Sequence, residues 1–181
     1  FLQRALGDFK LVPIVCGQLG EVAAKRIAAT LLDHIDEKTL VVISSDFTHY
    51  GRTFDYVPFR DDIQESLRKL DLGAFKEIED RNLSGFMEYV HNTGATICGR
   101  SPIAILLAML PAEARVQLLK YDTSGNLTGD WSHCVSYISA AVTGQWNPAC
   151  SDSLHCEPEL ELSASDKAGL LSLARHSIAR R

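Results

Sequence analysis

The sequence predicts an α/β fold in which a mixed central sheet is flanked by helices, followed by a separate amphipathic helix at the carboxyl end. Three observations carry that prediction. Short runs rich in β-branched residues alternate with longer stretches of helical periodicity, the pattern of a sheet covered by helices. The 181 residues are 46% hydrophobic and 23% charged, enough apolar material for one full core. From Gln145 onward the composition turns acidic and proline-bearing before a single helical stripe closes the chain.

The elements follow in order. Lys10 to Cys16 reads as a short buried strand. Glu21 to Ile35 carries Val22, Ile27, Leu31 and Leu32 at helical spacing, and Thr39 to Ser44 returns as a second strand. The three would form a β-α-β unit with parallel neighbouring strands and a right-handed crossover. Gly51 to Pro58 is interrupted by aromatics and Pro58 and reads as a loop over the strand end. Asp61 to Leu70, Gly73 to Arg81 and Leu83 to His91 are helical, with Ser84 a candidate cap and Asn92-Thr93-Gly94 a stop signal. Ser101 and Pro102 suit a first helical turn, and Ile103 to Leu110 carries that helix into the core. Alternation in Ala114 to Tyr121 and in Cys134 to Val142 predicts two strands joined by a turn bearing Gly and Asn, a hairpin at the sheet edge.

The domain over 1–144 then gives way to a linker over 145–161, which holds Pro148, Pro158 and four acids without Lys or Arg. Ser163-Ala164-Ser165-Asp166 resembles a capping box, and Leu170, Leu171, Ala174 and Ile178 form one stripe of a helix over 162–181. A lone helix of that length needs a partner surface.

Composition also narrows the function classes. A net charge of −5 without a basic stripe argues against nucleic acid or an anionic membrane as partner. The longest apolar runs, such as Ile103 to Leu110, are too short to span a bilayer. Phe1-Leu2-Gln3-Arg4 has neither an initiator Met nor a charged-then-apolar leader, so a fragment or processed product is expected. Five cysteines, odd in number and without a Cys-x-x-Cys pair, fit a reduced, cytoplasmic setting. Cys16 and Cys134 read as small core residues, and the spacing of Cys150, His155 and Cys156 matches no standard zinc pattern.

Two stretches can carry chemistry. In Val41-Val42-Ile43-Ser44-Ser45-Asp46-Phe47-Thr48-His49-Tyr50-Gly51 an apolar strand empties into a polar loop, the usual place of ligand sites in open α/β sheets. His49 can move protons near neutral pH, and Asp46, three residues earlier, can fix its tautomer. Equally, Asp46 can cap a turn and His49 be a plain loop residue. In Thr96-Ile97-Cys98-Gly99-Arg100-Ser101-Pro102-Ile103 the thiol of Cys98 precedes a helix N-terminus and lies near Arg100, which suits a nucleophile or soft metal ligand. A buried Cys beside a surface Arg is the alternative. Ser44 and Ser45 lack a Gly-x-Ser-x-Gly elbow and a base at suitable spacing, which disfavours a serine hydrolase.

Those two motifs, together with Val135-Ser136-Tyr137, resemble in order and spacing the carboxyl-terminal half of the Memo family, whose prokaryotic members are called AmmeMemoRadiSam system protein B. The resemblance covers about residues 1 to 144, and the helix over 162–181 is similar to the start of an Ammecr-type domain. It implies a partial class III extradiol dioxygenase-like (LigB-like) fold, in which a non-haem iron is held by two His and a carboxylate. In Memo proteins a Cys replaces that carboxylate. By motif position the metal ligand here is Cys98, the acid–base residue is His49, and Asp46 is an orienting or pocket residue.

The family's two further His ligands lie upstream of this sequence, and His34, His91 and His133 are surface or structural residues rather than substitutes. The chain alone is therefore expected to hold metal weakly or not at all, while the intact protein would use iron or copper. Two functions of different class follow. One is a metal-dependent redox enzyme, oxidase-like or dioxygenase-like. The other is a non-catalytic binding or adaptor module that takes a small molecule or peptide in the pocket, as animal Memo proteins are described as binding phosphotyrosine peptides. In either case the resemblance implies an Ammecr-type domain in the same chain and a radical SAM protein as partners.

Overall fold

A computed structural model of the chain describes residues 2–146. The linker and final helix expected over 145–161 and 162–181 therefore lie, but for Gln145 and Trp146, outside the described residues. The elements are helices α1 (Leu2–Leu6), α2 (Glu21–Leu32), α3 (Ile63–Glu79), α4 (Leu83–Thr93), α5 (Arg100–Met109) and α6 (Ser124–Thr128), and strands β1 (His49–Gly51), β2 (Arg115–Thr123) and β3 (His133–Thr143). The fold is mixed α/β, with helices packed beside a small sheet of order β1-β3-β2 in which both pairings are antiparallel. No helix among the described residues is long and apolar enough to cross a membrane.

The β-α-β unit expected over residues 10 to 44 does not form. Helix α2 is present, three residues shorter than its periodicity suggests, but neither Lys10 to Cys16 nor Thr39 to Ser44 is a strand. A strand exists only where a neighbour takes up its N–H and C=O groups, and no neighbour among the described residues does so. The second segment still alternates as a strand would: Val41 and Ile43 pack on the core while Leu40 and Val42 are exposed. In the first, Leu11, Val12, Ile14 and Val15 are all exposed. The motif loop consequently runs into an edge strand, β1, instead of leaving a central one.

The other elements are closer to expectation. The helices expected over Asp61 to Leu70 and Gly73 to Arg81 are one continuous helix, α3, because a single Gly weakens a helix without ending it. Gly73 makes room there for the phenol of Tyr89 on α4. The cap of α4 is Asn82, whose side chain accepts the Gly85 N–H at 3.0 Å, while the Ser84 hydroxyl donates to the Glu21 carboxylate. Gly94 ends α4 with a left-handed φ of 67°, as the Asn-Thr-Gly stop predicts. Strands β2 and β3 form the expected antiparallel pair, with a bulge between Leu118 and Lys120, but their connection folds into the short helix α6.

The main core joins α2, α3, α4 and α5 through Ala24, Ala28, Phe75, Phe86, Ile103 and Leu107, all buried. Close packing of α2 on α5 relies on small residues, since Ala24, Ala28 and Ala104 are no more than 1% exposed. This scaffold fixes the start of α5, and with it the loop that bears Cys98.

Candidate metal centre

Two loops meet at the polar edge of that core. One is Ser44 to Thr48, entering β1, and the other is Ala95 to Gly99, between α4 and α5. Their junction is tight: the Gly99 N–H donates to Ser45 Oγ at 2.9 Å, and a Cβ on Gly99 would overlap the Ser45 side chain. Ser45 in turn donates its hydroxyl to the Asp46 carbonyl at 2.8 Å, so its hydroxyl holds the turn together as donor and acceptor. At Cys98 the sulfur accepts the Asp46 N–H at 3.1 Å, a bond that aims the sulfur at the Asp46 side of the loop.

His49 is held by its backbone. Its N–H donates to Thr96 Oγ1 and the Thr96 hydroxyl donates to its carbonyl, both at 2.8 Å, so the Cys98 loop also sets the place of the imidazole. The ring meets Phe54 edge-on at 5.0 Å, and Phe54 stacks on His133 at 4.6 Å. His133 Nδ1 hydrogen-bonds the Thr53 hydroxyl at 2.6 Å. His133 is thus a supporting residue of the aromatic wall.

Asp46, His49 and Cys98 each offer a ligand atom, and the three lie within 4.8 Å of one another. His49 Nε2 stands 3.7 Å from Asp46 Oδ2, beyond hydrogen-bond reach, and is buried without a partner. A buried imidazole nitrogen left unpaired among carboxylate and thiol donors is the arrangement a metal ion or ligand proton would satisfy. A thiol, an imidazole and a carboxylate together make a donor set that a transition-metal ion could accept. No other group of three such side chains gathers this closely among the described residues. Next to the sulfur opens a cavity of about 450 Å³ whose walls include Cys16, Gln18, Thr96, Cys98, Arg100 and Ser101.

All three residues singled out in the sequence thus come together. His34 and His91 take no part. Cys134 is buried, its thiol pushed up to about 11 by burial, as a small core residue should be, whereas Cys16 is half-buried at the cavity rim. Sequence reasoning missed the supports. They are Thr96, inside the Cys98 motif, and Asp71 of α3. Asp71 had a legible signal: with Leu67, Ala74, Phe75 and Ile78 it occupies the buried face of α3, where a carboxylate is out of pattern.

Comparison with known proteins adds one consistent finding. The family model described as "Memo-like protein" matches residues 1–141. A MEMO1 family protein of Thermoplasma volcanium is 32% identical over 147 residues, 80% of this chain and 50% of the relative. One of Schizosaccharomyces pombe is 32% identical over 165 residues, 77% of this chain and 53% of the relative. A third, of Methanobrevibacter smithii, is 31% identical over 144 residues, 77% of this chain and 47% of the relative. The chain spans about half the length of the curated relatives it matches.

Proposed function

The chain belongs to the Memo-like protein family, and from that premise we propose that it supplies one wall of a non-haem, metal-dependent redox site akin to the class III extradiol dioxygenases. The observation that carries this reading is the convergence of Cys98, His49 and Asp46 donors within 4.8 Å, with His49 Nε2 buried and unpartnered. Bound iron or copper would supply Lewis acidity and a one-electron couple at this point. Cys98 is the anchoring ligand, its sulfur oriented by the Asp46 N–H. His49 accepts or returns a proton at Nε2, with the Asp46 carboxylate 3.7 Å away on the same side of the site. A thiolate where the dioxygenases use a carboxylate shifts the preference toward softer ions, so an oxidase-like reaction fits better than ring cleavage.

The intact protein, with its upstream His ligands, should bind iron or copper stoichiometrically. Elemental analysis should show that Cys98→Ala abolishes this, and full metal content in that variant would sink the assignment. His49→Ala should keep most of the metal and lose turnover.

The cavity beside Cys98 supports a second reading, in which the same pocket recognises a peptide or small molecule without turnover and works with an Ammecr-type domain and a radical SAM protein. Absence of metal from the intact protein, together with ligand binding that survives Cys98→Ala, would favour it.

A further inference from the structure

Asp71 is 1% exposed, on the core-facing side of α3. Its Oδ1 accepts both the Thr48 N–H at 3.2 Å and the Thr48 hydroxyl at 2.6 Å, and its Oδ2 accepts the Tyr121 hydroxyl from β2 at 2.9 Å. No Lys, Arg or His among the described residues forms an ion pair with it. A buried carboxylate without a counter-cation is a poor way to stabilise a helix, and an apolar side chain of similar volume would fill the space at lower desolvation cost. What the carboxylate does achieve is geometric. Thr48 is wholly buried, and its carbonyl accepts the Ser136 N–H of β3 at 2.9 Å, so Asp71 fixes the residue immediately before His49. Thr96 fixes His49 from the other side. With the backbone clamped at both ends and Phe54 against the ring, the imidazole has little freedom left.

We infer that Asp71 is a positioning residue: through Thr48 it holds the His49 ring at the distance from Asp46 and Cys98 that the donor group requires. The ring's placement stands on the geometry alone, and the consequence for proton transfer rests on the function proposed above.

The experiment compares Asp71→Leu, Asp71→Asn and Thr48→Val with the unaltered chain. Two quantities are read: the His49 ring signals in proton–carbon NMR and the melting temperature. Asp71→Leu should fold, yet its His49 signals should shift and broaden. Asp71→Asn keeps an acceptor for Thr48 and should restore the ring signals. Thr48→Val, which removes one donor and leaves Asp71 in place, should move His49 in the same direction as Asp71→Leu. Unchanged ring signals in Asp71→Leu and Thr48→Val would overturn the inference; should Asp71→Leu fail to fold, Thr48→Val decides alone.

Discussion

At the scale of single residues, the site depends on one side chain that is missing. Gly99 has φ −92°, a conformation open to any residue, so its backbone does not demand glycine. Space does: a Cβ there would run into the Ser45 side chain and stand 3.1 Å from the Ser45 Cα. Gly99→Ala should push the Ser45–Asp46 turn away from α5, break the Gly99 N–H to Ser45 Oγ bond and pull the Asp46 N–H off the Cys98 sulfur. The expected result is a stability loss of about 1–3 kcal/mol in urea unfolding, from overpacking, and, in the intact protein, metal affinity reduced at least about tenfold in Fe(II) titration. A variant equal to the unaltered chain in both would show that the loops do not need this contact. Residue chemistry was the most legible part of the sequence, since an acid, an imidazole and a thiol in two compact motifs name themselves. Their supports were not, because a forbidden Cβ and a buried acceptor are facts about neighbours distant in sequence.

At the scale of elements, helices were more legible than strands outside the β2–β3 pair, for a physical reason. A helix closes its hydrogen bonds within itself, so its periodicity suffices to mark α2, α4 and α5. Thr39 to Ser44 has the composition and the alternating burial of a strand and still is none, since a strand is completed only by a neighbour. The break expected near Gly73 confused a packing glycine with a stop. Tyr89 lies over Gly73 and donates its hydroxyl to the Leu70 carbonyl at 3.0 Å, so α3 and α4 interlock there. Gly73→Ala gains up to about 1 kcal/mol of helix propensity, yet its methyl has to displace the phenol, and the net effect should be a loss of about 1–3 kcal/mol. In a Tyr89→Leu background the same substitution should be neutral or stabilising. A double-mutant cycle by thermal unfolding measures the difference, and additivity would mean that the two residues do not compete for space.

At the scale of the whole molecule, the polar layer between α3 and the sheet couples stability to pH. Burial pushes the Asp71 carboxyl up from its ordinary 3.8, against the hydrogen bonds from Thr48, Ser136 and Tyr121, which favour the charged form. Burial raises the Tyr56, Tyr89, Tyr121 and Cys134 groups, helped by the negative charge of Asp71, and the Arg68 guanidinium lies over the Tyr121 ring at 5.5 Å. The folded chain therefore holds a proton at Asp71 more tightly than the unfolded chain does. Between the ordinary carboxylate value and the raised one the native state binds the extra proton, so this group makes stability fall as pH rises through that window. The exposed Asp36, Asp122 and Asp130 work in the opposite direction at lower pH, because hydrogen bonds hold their carboxyls below the usual range. Comparison with Asp71→Asn isolates the buried group from them, since that variant keeps the exposed acids and loses only the titrating one. Urea unfolding from about pH 4 to pH 8 should show the unaltered chain losing stability relative to Asp71→Asn as pH increases, with the gap levelling off once Asp71 is fully ionised. Parallel curves would mean that Asp71 ionises in the folded chain as easily as in the unfolded one, and that water reaches the layer between α3 and the sheet.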